Sequence, residues 1–248
     1  MGMSERKALV TGGSRGIGRA IALALSAEGY AVTIMGRSEK ALAQAIAQGV
    51  ARTSQAVDVT DAAALHEAVA GSGPYHVLIN NAGAAESAPL AATDLALVRR
   101  MMAVNVESAF TAARAALPGM MTLGTGRIVN VASIAGLKGY AYVSAYCAAK
   151  HAVIGMTRAL AAELVKTGIT VNALCPGYTD TDLIANAADA IARKTGRDAG
   201  EAIDHFAKTN PSGRLITPEE VADTALFLCS AGASAVTGQA IAIAGGDP

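Results

Sequence analysis

The chain has 248 residues, 52% of them hydrophobic, and its 20 basic residues balance 20 acidic ones, so that the formal net charge is zero. This balance removes the whole-chain attraction that nucleic acid or an anionic membrane would need, and we expect neither as a partner. The cysteines Cys147, Cys175 and Cys229 show no CxxC spacing. They are therefore expected to be reduced core thiols of a cytoplasmic protein, with no metal site.

Short apolar runs alternate with longer stretches of helical periodicity along the whole chain. The predicted strands are residues 8–10, 31–35, 55–59, 76–79, 127–131, 170–175 and 240–244. The predicted helices are residues 17–28, 39–48, 61–70, about 94–121 and 146–166. We expect Thr60 to cap the third helix. Strands that are apolar throughout and separated by helices indicate a parallel sheet covered on both faces, so we predict one α/β domain over residues 1–248, with a doubly wound sheet.

One uncharged run, residues 224–246, is long enough to cross a bilayer. Glycines and polar side chains interrupt it, which is typical of a helix, a loop and a buried strand in succession. We therefore predict no membrane segment.

A tyrosine and a lysine four residues apart, Tyr146 and Lys150, share one helical face. The lysine cation can favour the phenolate and lower the tyrosine pKa from about 10. Ser133, at the end of an apolar run, can reach the same place. Each residue alone also fits a structural role, but together they form a proton-transfer site for a carbonyl/alcohol pair.

A glycine-rich turn, TGGSRGIG at residues 11–18, follows the first predicted strand and opens the first predicted helix. Its glycines permit a tight turn in which backbone N–H groups approach a pyrophosphate. A glycine turn can be purely structural, and its position after the first strand is what favours cofactor binding.

Taken together, these motifs resemble the short-chain dehydrogenase/reductase family. The resemblance covers essentially the whole chain and includes NNAG at residues 80–83 and Pro-Gly at residues 176–177. It implies a Rossmann-type sheet with Tyr146 as general acid in reduction and base in oxidation. Ser133 would polarise the substrate carbonyl, and Lys150 would lower the Tyr146 pKa and bind the nicotinamide ribose. Asn105 would hold a water molecule in a proton relay.

The resemblance also implies a nicotinamide cofactor along the carboxyl ends of the strands. Asp58 would accept a hydrogen bond from adenine, the backbone of Thr179 would hold the carboxamide, and Thr181 would contact the carboxamide or the pyrophosphate. The full predicted set is Gly12, Ser14, Arg15, Gly16, Ile17, Gly18, Arg37, Ser38, Asp58, Val59, Asn81, Ala82, Gly83, Tyr146, Lys150, Pro176, Gly177, Thr179 and Thr181.

Charge at the end of the second strand predicts which cofactor is used. A carboxylate there would bind the ribose 2′-hydroxyl of NAD, whereas a cation suits the 2′-phosphate of NADP. Gly36 stands at the usual acidic position, and Arg37 and Arg15 can flank a phosphate. We therefore predict NADP(H). The alternative is NAD(H), which would apply if both arginines are simply solvated and the nearby Glu39 supplies the carboxylate.

The substrate is predicted only as a class. The chain is similar to 3-ketoacyl reductases and to 3-hydroxybutyrate and polyketide ketoreductase-type members. The segment at about 178–216 is predicted to be a substrate lid or, alternatively, a solvated helical insertion. Fatty-acid members of the family that dock an acyl carrier protein place basic residues just before the fifth and sixth strands. Here these places, residues 121–126 and 166–168, are nearly uncharged. The resemblance therefore disfavours an acidic carrier protein and favours a CoA thioester or free ketone. The phosphates of a CoA thioester could then contact Arg193, Lys194 and Arg197. The alternative is that these side chains form a solvated helix face. The predicted pocket residues are Ile134, Tyr140, Val143 and Tyr178.

The predicted function is therefore NADPH-dependent reduction of a ketone to a secondary alcohol. The alternatives are an NAD(P)-dependent secondary-alcohol or polyol dehydrogenase and a non-catalytic NADPH-binding regulator. The helices at about 94–121 and 146–166 carry apolar residues on more than one face, which favours burial. The resemblance implies that these helices pair in a homotetramer.

Overall fold

The computed structural model describes residues 5–195 and 198–247. Arg197 lies outside the described residues, and so does the side chain of Lys194. The described strands are β1 (Lys7–Thr11), β2 (Ala31–Gly36), β3 (Thr53–Ala56), β4 (Val77–Asn80), β5 (Gly126–Val131), β6 (Ile169–Pro176) and β7 (Ala240–Ile243). The described α-helices are α1 (Gly16–Ala27), α2 (Glu39–Ala47), α3 (Ala62–Ser72), α4 (Leu95–Met102), α5 (Ser108–Leu123), α6 (Ser144–Leu164), α7 (Asp182–Thr195), α8 (Ala199–Thr209) and α9 (Pro218–Cys229).

All of these strands join one parallel sheet in the order β3-β2-β1-β4-β5-β6-β7. The order reverses between β1 and β4, since the chain builds outward to β3 and then returns to continue on the other side of β1. Loops that follow neighbouring strands diverge at such a reversal and leave a crevice beyond the carboxyl ends of the strands. The predicted doubly wound α/β fold is confirmed.

Helices cover both faces of the sheet, because successive residues of a buried strand point to opposite sides. In β1, Val10 packs with α1, α2 and α9, whereas its neighbour Leu9 packs with α3, α5 and α6. Both side chains are fully buried. Truncating either to alanine would leave a cavity in a close-packed layer and cost about 2–5 kcal/mol.

Two predictions about the third strand and helix are wrong. The strand lies at β3, two residues before the predicted start, and is polar and partly exposed because it forms the edge of the sheet. Val59 follows the strand and packs into the core. Asp61, not Thr60, caps α3, because its carboxylate accepts the N–H groups of Ala63 and Ala64 at 3.1 and 3.0 Å. A carboxylate there also faces the positive end of the helix dipole.

The long helical segment predicted at 94–121 is interrupted by a π-helical turn, Ala103–Glu107, between α4 and α5. Such a turn inserts a residue into the helical register and is frequent at functional sites. Here it buries Asn105, which is 3% exposed, beside the segment that follows β4.

Buried polar side chains tie α6 to the centre of the sheet. Asn80 Nδ2 donates to Asn130 Oδ1 at 2.9 Å, and Asn130 Nδ2 donates to Thr157 Oγ1 at 2.8 Å. Among the described residues the Asn80 Oδ1 is buried without a partner, but both donated bonds are made, and such directional bonds favour one arrangement of helix on sheet. The chain therefore sets the position of α6, which carries Tyr146 and Lys150.

The uncharged run at 224–246 contains the end of α9, a loop and β7, as predicted. Within the described part of the chain, no helix combines the length and apolar character needed to cross a membrane. Cys147, Cys175 and Cys229 are free and buried, in agreement with the predicted core thiols.

Candidate active site

The structure brings Ser133, Tyr146 and Lys150 together at the carboxyl end of β5. Ser133 follows the strand, and its Oγ accepts the N–H of Ala135 at 3.1 Å, which leaves the hydroxyl hydrogen available for another acceptor. Tyr146 and Lys150 lie one turn apart in α6, with the Lys150 Nζ 5.6 Å from the centre of the tyrosine ring. Lys150 Nζ also donates to the carbonyl oxygen of Val131 at 2.9 Å. The predicted convergence of these three side chains is therefore present.

Burial controls the pKa values of this group. Burial raises the pKa of Tyr146 to about 12, although a hydrogen bond with the Ser133 side chain favours the phenolate. Burial lowers the pKa of Lys150 to about 8, because it disfavours the ammonium form. The expectation that Lys150 holds the Tyr146 pKa below 10 is wrong in this structure, since desolvation of the phenolate outweighs the other influences. A tyrosine that keeps its proton can act as a proton donor.

Asn105 reaches the same site from the π-helical turn. Its Nδ2 donates to the carbonyl oxygens of Ala84 and Met101, both at 3.0 Å, whereas its Oδ1 is buried without a hydrogen-bond partner. A Cβ added to Gly83 would lie 2.7 Å from this Oδ1 and 3.6 Å from Lys150 Nζ. Glycine at this position therefore keeps open a small space that the amide oxygen and the lysine both border.

The glycine turn is held tightly between β1 and β4. Asn81 Nδ2 donates to the carbonyl oxygens of Thr11 and Gly12 at 2.9 and 3.1 Å. Thr11 Oγ1 in turn accepts the N–H groups of Asn81 and Ala82, both at 3.0 Å. A Cβ on Gly18 would come within 2.3 Å of Asn81 Nδ2, so only glycine lets α1 approach so closely.

The amino end of α1 points its free backbone N–H groups beyond the sheet. Arg15 occupies the N-cap without a side-chain cap, and the first helical turn contains no acidic residue. Ser14, Ile17 and Gly16 belong to the same turn, and Gly16 has a left-handed φ of 51°. Uncapped N–H groups at a helix start are suited to binding an anion such as a pyrophosphate. The predicted glycine-turn residues therefore lie where a dinucleotide would need them.

The residues after β2 offer positive charge at the surface. Gly36 ends the strand without a carboxylate, Arg37 is exposed, and Ser38 Oγ caps α2 by accepting the N–H of Ala41 at 3.2 Å. Arg15 Nη1 lies 3.6 Å from Asp182 Oδ2 in an exposed ion pair, which contributes little to stability. Both arginines are thus present at this end of the sheet, as the NADP prediction requires.

The two predicted adenine contacts after β3 differ in what they can offer. The Asp58 Oδ1 accepts the N–H and the hydroxyl of Thr60 at 2.9 and 2.8 Å, and these bonds, with the charge of Arg37, lower the pKa of the carboxyl group. It is therefore an ionised acceptor at the surface. The Val59 side chain is buried in the core, so only its backbone can face a ligand.

The loop after β6 runs beside the glycine turn. Pro176 ends the strand and Gly177 follows, where a Cβ would lie 2.7 Å from Asn210 Oδ1. Thr179 is 4% exposed and bridges to Ile216, which closes the base of the α7–α8 segment. Thr181 lies against Gly16, with its Cγ2 3.3 Å from a Cβ built there. The structure thus brings Thr181 beside the glycine turn and buries Thr179 at the base of the α7–α8 segment.

Aromatic rings line the other side of the crevice. The Tyr140 ring meets the Tyr178 ring edge-on at 6.5 Å, and Tyr178 stacks on Phe206 of α8 at 4.9 Å. Ile134 is buried in the turn after Ser133, and Val143 is the N-cap of α6. Tyr140, Tyr178 and Phe206 thus form one aromatic cluster, and Ile134 and Val143 lie in the segments that carry Ser133 and Tyr146.

Three residues of this region are absent from the predicted set. The Nδ2 of the buried Asn210 donates to the carbonyl oxygens of Tyr178 and Arg214 at 2.9 and 2.7 Å. Its Oδ1 accepts the N–H of Tyr178 at 3.1 Å, so that one amide fastens both ends of the α7–α8 segment. Phe206 stacks on Tyr178, and Asp247 accepts the hydroxyl of Tyr140. None of the three lies in a motif, and only tertiary contacts place them at the site.

Comparisons with known proteins agree with this geometry. The family model described as Enoyl-(Acyl carrier protein) reductase matches residues 12–247. D-beta-hydroxybutyrate dehydrogenase of Cupriavidus necator is 37% identical over 245 residues, 95% of each chain. L-2,3-butanediol dehydrogenase of Corynebacterium glutamicum is 38% identical over 253 residues, 98% of each chain.

Among solved structures, a variant of actinorhodin polyketide ketoreductase with NADPH is similar over most of both chains. It has a TM-score of 0.92 and 35% sequence identity, and the match covers 98% of this chain and 97% of that chain. Fold, motif order and these similarities together establish that the chain belongs to the short-chain dehydrogenase/reductase family of oxidoreductases.

Proposed function

We propose that this chain reduces a ketone to a secondary alcohol with NADPH as hydride donor. The observation that carries the proposal is the convergence of Ser133, Tyr146 and Lys150 at the carboxyl end of β5, beside an uncapped helix start. The similarity to a polyketide ketoreductase solved with NADPH supports the same reaction and cofactor.

NADPH, when bound, supplies the hydride to the carbonyl carbon. Ser133 donates its hydroxyl hydrogen to the carbonyl oxygen, because the Oγ already accepts from Ala135 and the substrate oxygen would replace Tyr146 as the acceptor of that hydrogen. Tyr146 then gives its proton to that oxygen as negative charge develops there. Its raised pKa keeps the phenol protonated until the substrate oxygen becomes the stronger base.

Lys150 and Asn105 return a proton to Tyr146. With a pKa of about 8, the lysine can lose and regain a proton near neutral pH. Asn105 Oδ1 has no hydrogen-bond partner among the described residues and borders the same small space as Lys150 Nζ. We assign these two residues to the path by which the proton consumed in each turnover is replaced.

The residues present fit NADPH better than NADH. Gly36 contributes no carboxylate against a 2′-phosphate, and Arg37 and Arg15 supply guanidinium groups nearby. The start of α1 would hold the pyrophosphate, and the backbone of Thr179 would hold the carboxamide. Thr181 would contact the carboxamide or the pyrophosphate, and its position against Gly16 favours the pyrophosphate. The other residues of the predicted cofactor-binding set would also contact NADPH, and Val59 would do so through its backbone.

The proposed substrate is a small β-keto ester or a 3-ketoacyl CoA thioester. The apolar wall of Tyr140, Val143 and Tyr178 suits an uncharged acyl group, and α7 and α8 would form the lid at about 178–216. Arg193 is exposed on α7, where it could meet a CoA phosphate.

The direct test follows NADPH oxidation by the purified protein with ethyl acetoacetate, acetoacetyl-CoA and a panel of polyols and steroids. We expect turnover of the β-keto compounds. Tyr146→Phe should abolish turnover and leave NADPH binding intact. Activity confined to polyols or steroids, or turnover near the wild-type rate in the variant, would refute the proposal. NADPH binding with no turnover on any substrate would favour the regulator.

Oxidation of a secondary alcohol or polyol is the second candidate. Two relatives of nearly the same length are named as dehydrogenases, of a hydroxy acid and of a diol. The same residues serve both directions, with Tyr146 as base instead of acid. Assays of paired ketones and alcohols with all four nicotinamide cofactor forms separate the candidates.

We further propose a homotetramer in the cytoplasm. Phe110 and Met121 on α5 are each 50% exposed, and Phe227 on α9 is 51% exposed, so apolar surface remains for other subunits. Sedimentation as a monomer at micromolar concentration would contradict the assembly.

A further inference from the structure

Asp247, in the segment after β7, joins two side chains of the loop between Ser133 and Tyr146. Its Oδ2 accepts the hydroxyl of Tyr140 at 2.7 Å, and its Oδ1 pairs with the ammonium of Lys138. The carboxylate is 7% exposed, whereas the lysine side chain is 42% exposed. A buried acid therefore neutralises a cation that still reaches solvent.

The backbone before Asp247 leaves it little freedom. Gly245 and Gly246 have left-handed φ values of 64° and 103°. A Cβ on Gly245 would come within 2.2 Å of Ser212 Oγ, in the segment between α8 and α9. The turn is thus packed against the base of the α7–α8 segment and delivers the carboxylate to a defined place.

The charge state of this acid follows from its partners. Burial alone would raise the pKa of Asp247, but the hydrogen bonds from Lys138 and Tyr140 and the lysine charge outweigh it and lower the pKa. The acid is ionised at neutral pH, and the pair carries no net charge.

The pair contacts Tyr140, one of the residues of the proposed substrate pocket. Lys138 Nζ lies 5.3 Å from the centre of the Tyr140 ring, and that ring meets Tyr178 edge-on. Tyr178 is close enough to Tyr146 to influence its pKa. A charge at Lys138 would therefore be felt by a substrate held between the aromatic wall and Tyr146.

We propose that Asp247 is a specificity-determining residue, which by neutralising Lys138 makes the site prefer uncharged β-keto esters and thioesters to β-keto carboxylates. The proposal rests on the proposed function. A substrate carboxylate would meet a fixed negative charge and a cation already paired, so it gains no attraction that offsets the loss of its hydration. Discrimination by withholding a partner from the wrong substrate is a general route to specificity.

Kinetics with one charged and one uncharged ketone test the proposal. We compare kcat/KM for acetoacetate with kcat/KM for ethyl acetoacetate, using NADPH, in the wild type and in Asp247→Asn. The variant leaves Lys138 unpaired, and the ratio should rise about tenfold or more, corresponding to about 1.4 kcal/mol. The gain should shrink as salt is added, because the lysine is partly exposed to solvent.

Two further variants separate charge from structure. Lys138→Gln leaves a net negative charge and should lower the ratio below that of the wild type. Lys138→Gln with Asp247→Asn is neutral again and should restore the wild-type ratio. A ratio unchanged in Asp247→Asn that still binds NADPH, or raised equally in the double variant, would overturn the proposal. If Asp247→Asn does not fold, Lys138→Gln decides the matter, and no fall in its ratio is the contrary result.

Binding distinguishes this proposal from the proposed function. Calorimetric titration of acetoacetate into each protein saturated with NADP should show at least tenfold tighter binding to Asp247→Asn than to the wild type. Tighter acetoacetate binding by Asp247→Asn without turnover of any ketone would refute the proposed reaction and support the role of Asp247. Turnover of ethyl acetoacetate without the gain would support the reaction and refute that role.

Discussion

Lys150 Nζ donates a 2.9 Å hydrogen bond to the carbonyl oxygen of Val131, so that the lysine of α6 is fastened to the last residue of β5. The lysine is 5% exposed, and no carboxylate contributes to its pKa. A buried ammonium without a counterion is unfavourable, which explains why its pKa falls to about 8. The protein therefore retains a destabilising group at the centre of its proposed site, as often occurs where activity and stability conflict.

The first prediction concerns the destabilising effect of the buried Lys150 ammonium group. Lys150 binds its proton more weakly in the folded protein, with a pKa of about 8 against 10.5, so the unfolded chain holds more protons between these pH values. Wild-type stability should thus rise relative to Lys150→Met as pH increases from 8 to 10.5, and this contribution is lost as pH falls through 8. The change should be about 3 kcal/mol.

Urea unfolding of both proteins at pH 7 and pH 10 measures this change, and other titrating groups cancel in the difference. Lys150→Met should be the more stable protein at pH 7 and should lack ketone reduction. A stability difference that does not depend on pH would contradict the assignment of a buried charge.

The second prediction concerns the polar chain beneath α6. Asn130→Ala removes the buried acceptor of one Asn80 N–H and the buried donor to the Thr157 hydroxyl. We expect a loss of about 2–3 kcal/mol in the free energy of unfolding, because buried groups left unpaired keep their desolvation cost. Denaturant unfolding measures it, with Asn186→Ala on the exposed face of α7 as control. Equal small effects in both variants would mean that the chain does not stabilise the fold.

The third prediction concerns cofactor preference. Arg37→Asp replaces a cation at the end of β2 with the carboxylate that suits a ribose 2′-hydroxyl. The Kd for NADPH should rise at least tenfold, whereas the Kd for NADH should stay the same or fall. Fluorescence titration measures both, and Arg99→Asp, an exposed position on α4, controls for the general change in charge. NADPH affinity that is unchanged, or a wild type that prefers NADH, would refute the NADP assignment.

The fourth prediction concerns the base of the proposed lid. Asn210→Asp places a carboxylate oxygen against the carbonyl oxygens of Tyr178 and Arg214. In the wild type these oxygens accept the N–H groups of the Asn210 amide. Loss of these bonds should cost about 1–3 kcal/mol and increase local opening of the α7–α8 segment. Limited proteolysis should cut this segment faster than in the wild type, while Asn186→Asp is cut at the wild-type rate. Equal cleavage of all three proteins would show that Asn210 does not fasten the segment.

The sheet and the main motifs could be predicted from the sequence because both depend on local pattern. Buried strands such as β1 and β6 are mostly apolar, and helices follow them with regular spacing. The edge strand β3 escaped this rule, because one side of it meets solvent and its sequence is polar. The cap of α3 was also assigned to the wrong residue, since Thr60 and Asp61 are both good caps and only the backbone path selects Asp61.

The sequence by itself determined which chemical groups are available, since Ser133, Tyr146 and Lys150 fall at a spacing that a strand and a helix convert into proximity. Only the tertiary structure decided their ionisation, because burial depends on every layer packed around them and it raised the tyrosine pKa against the effect of the Ser133 hydrogen bond. The same holds for Asp247, whose partner Lys138 is distant in sequence and whose role arises from packing after β7. Local spacing encodes the catalytic groups, whereas long-range packing sets their environment and the walls that face the substrate.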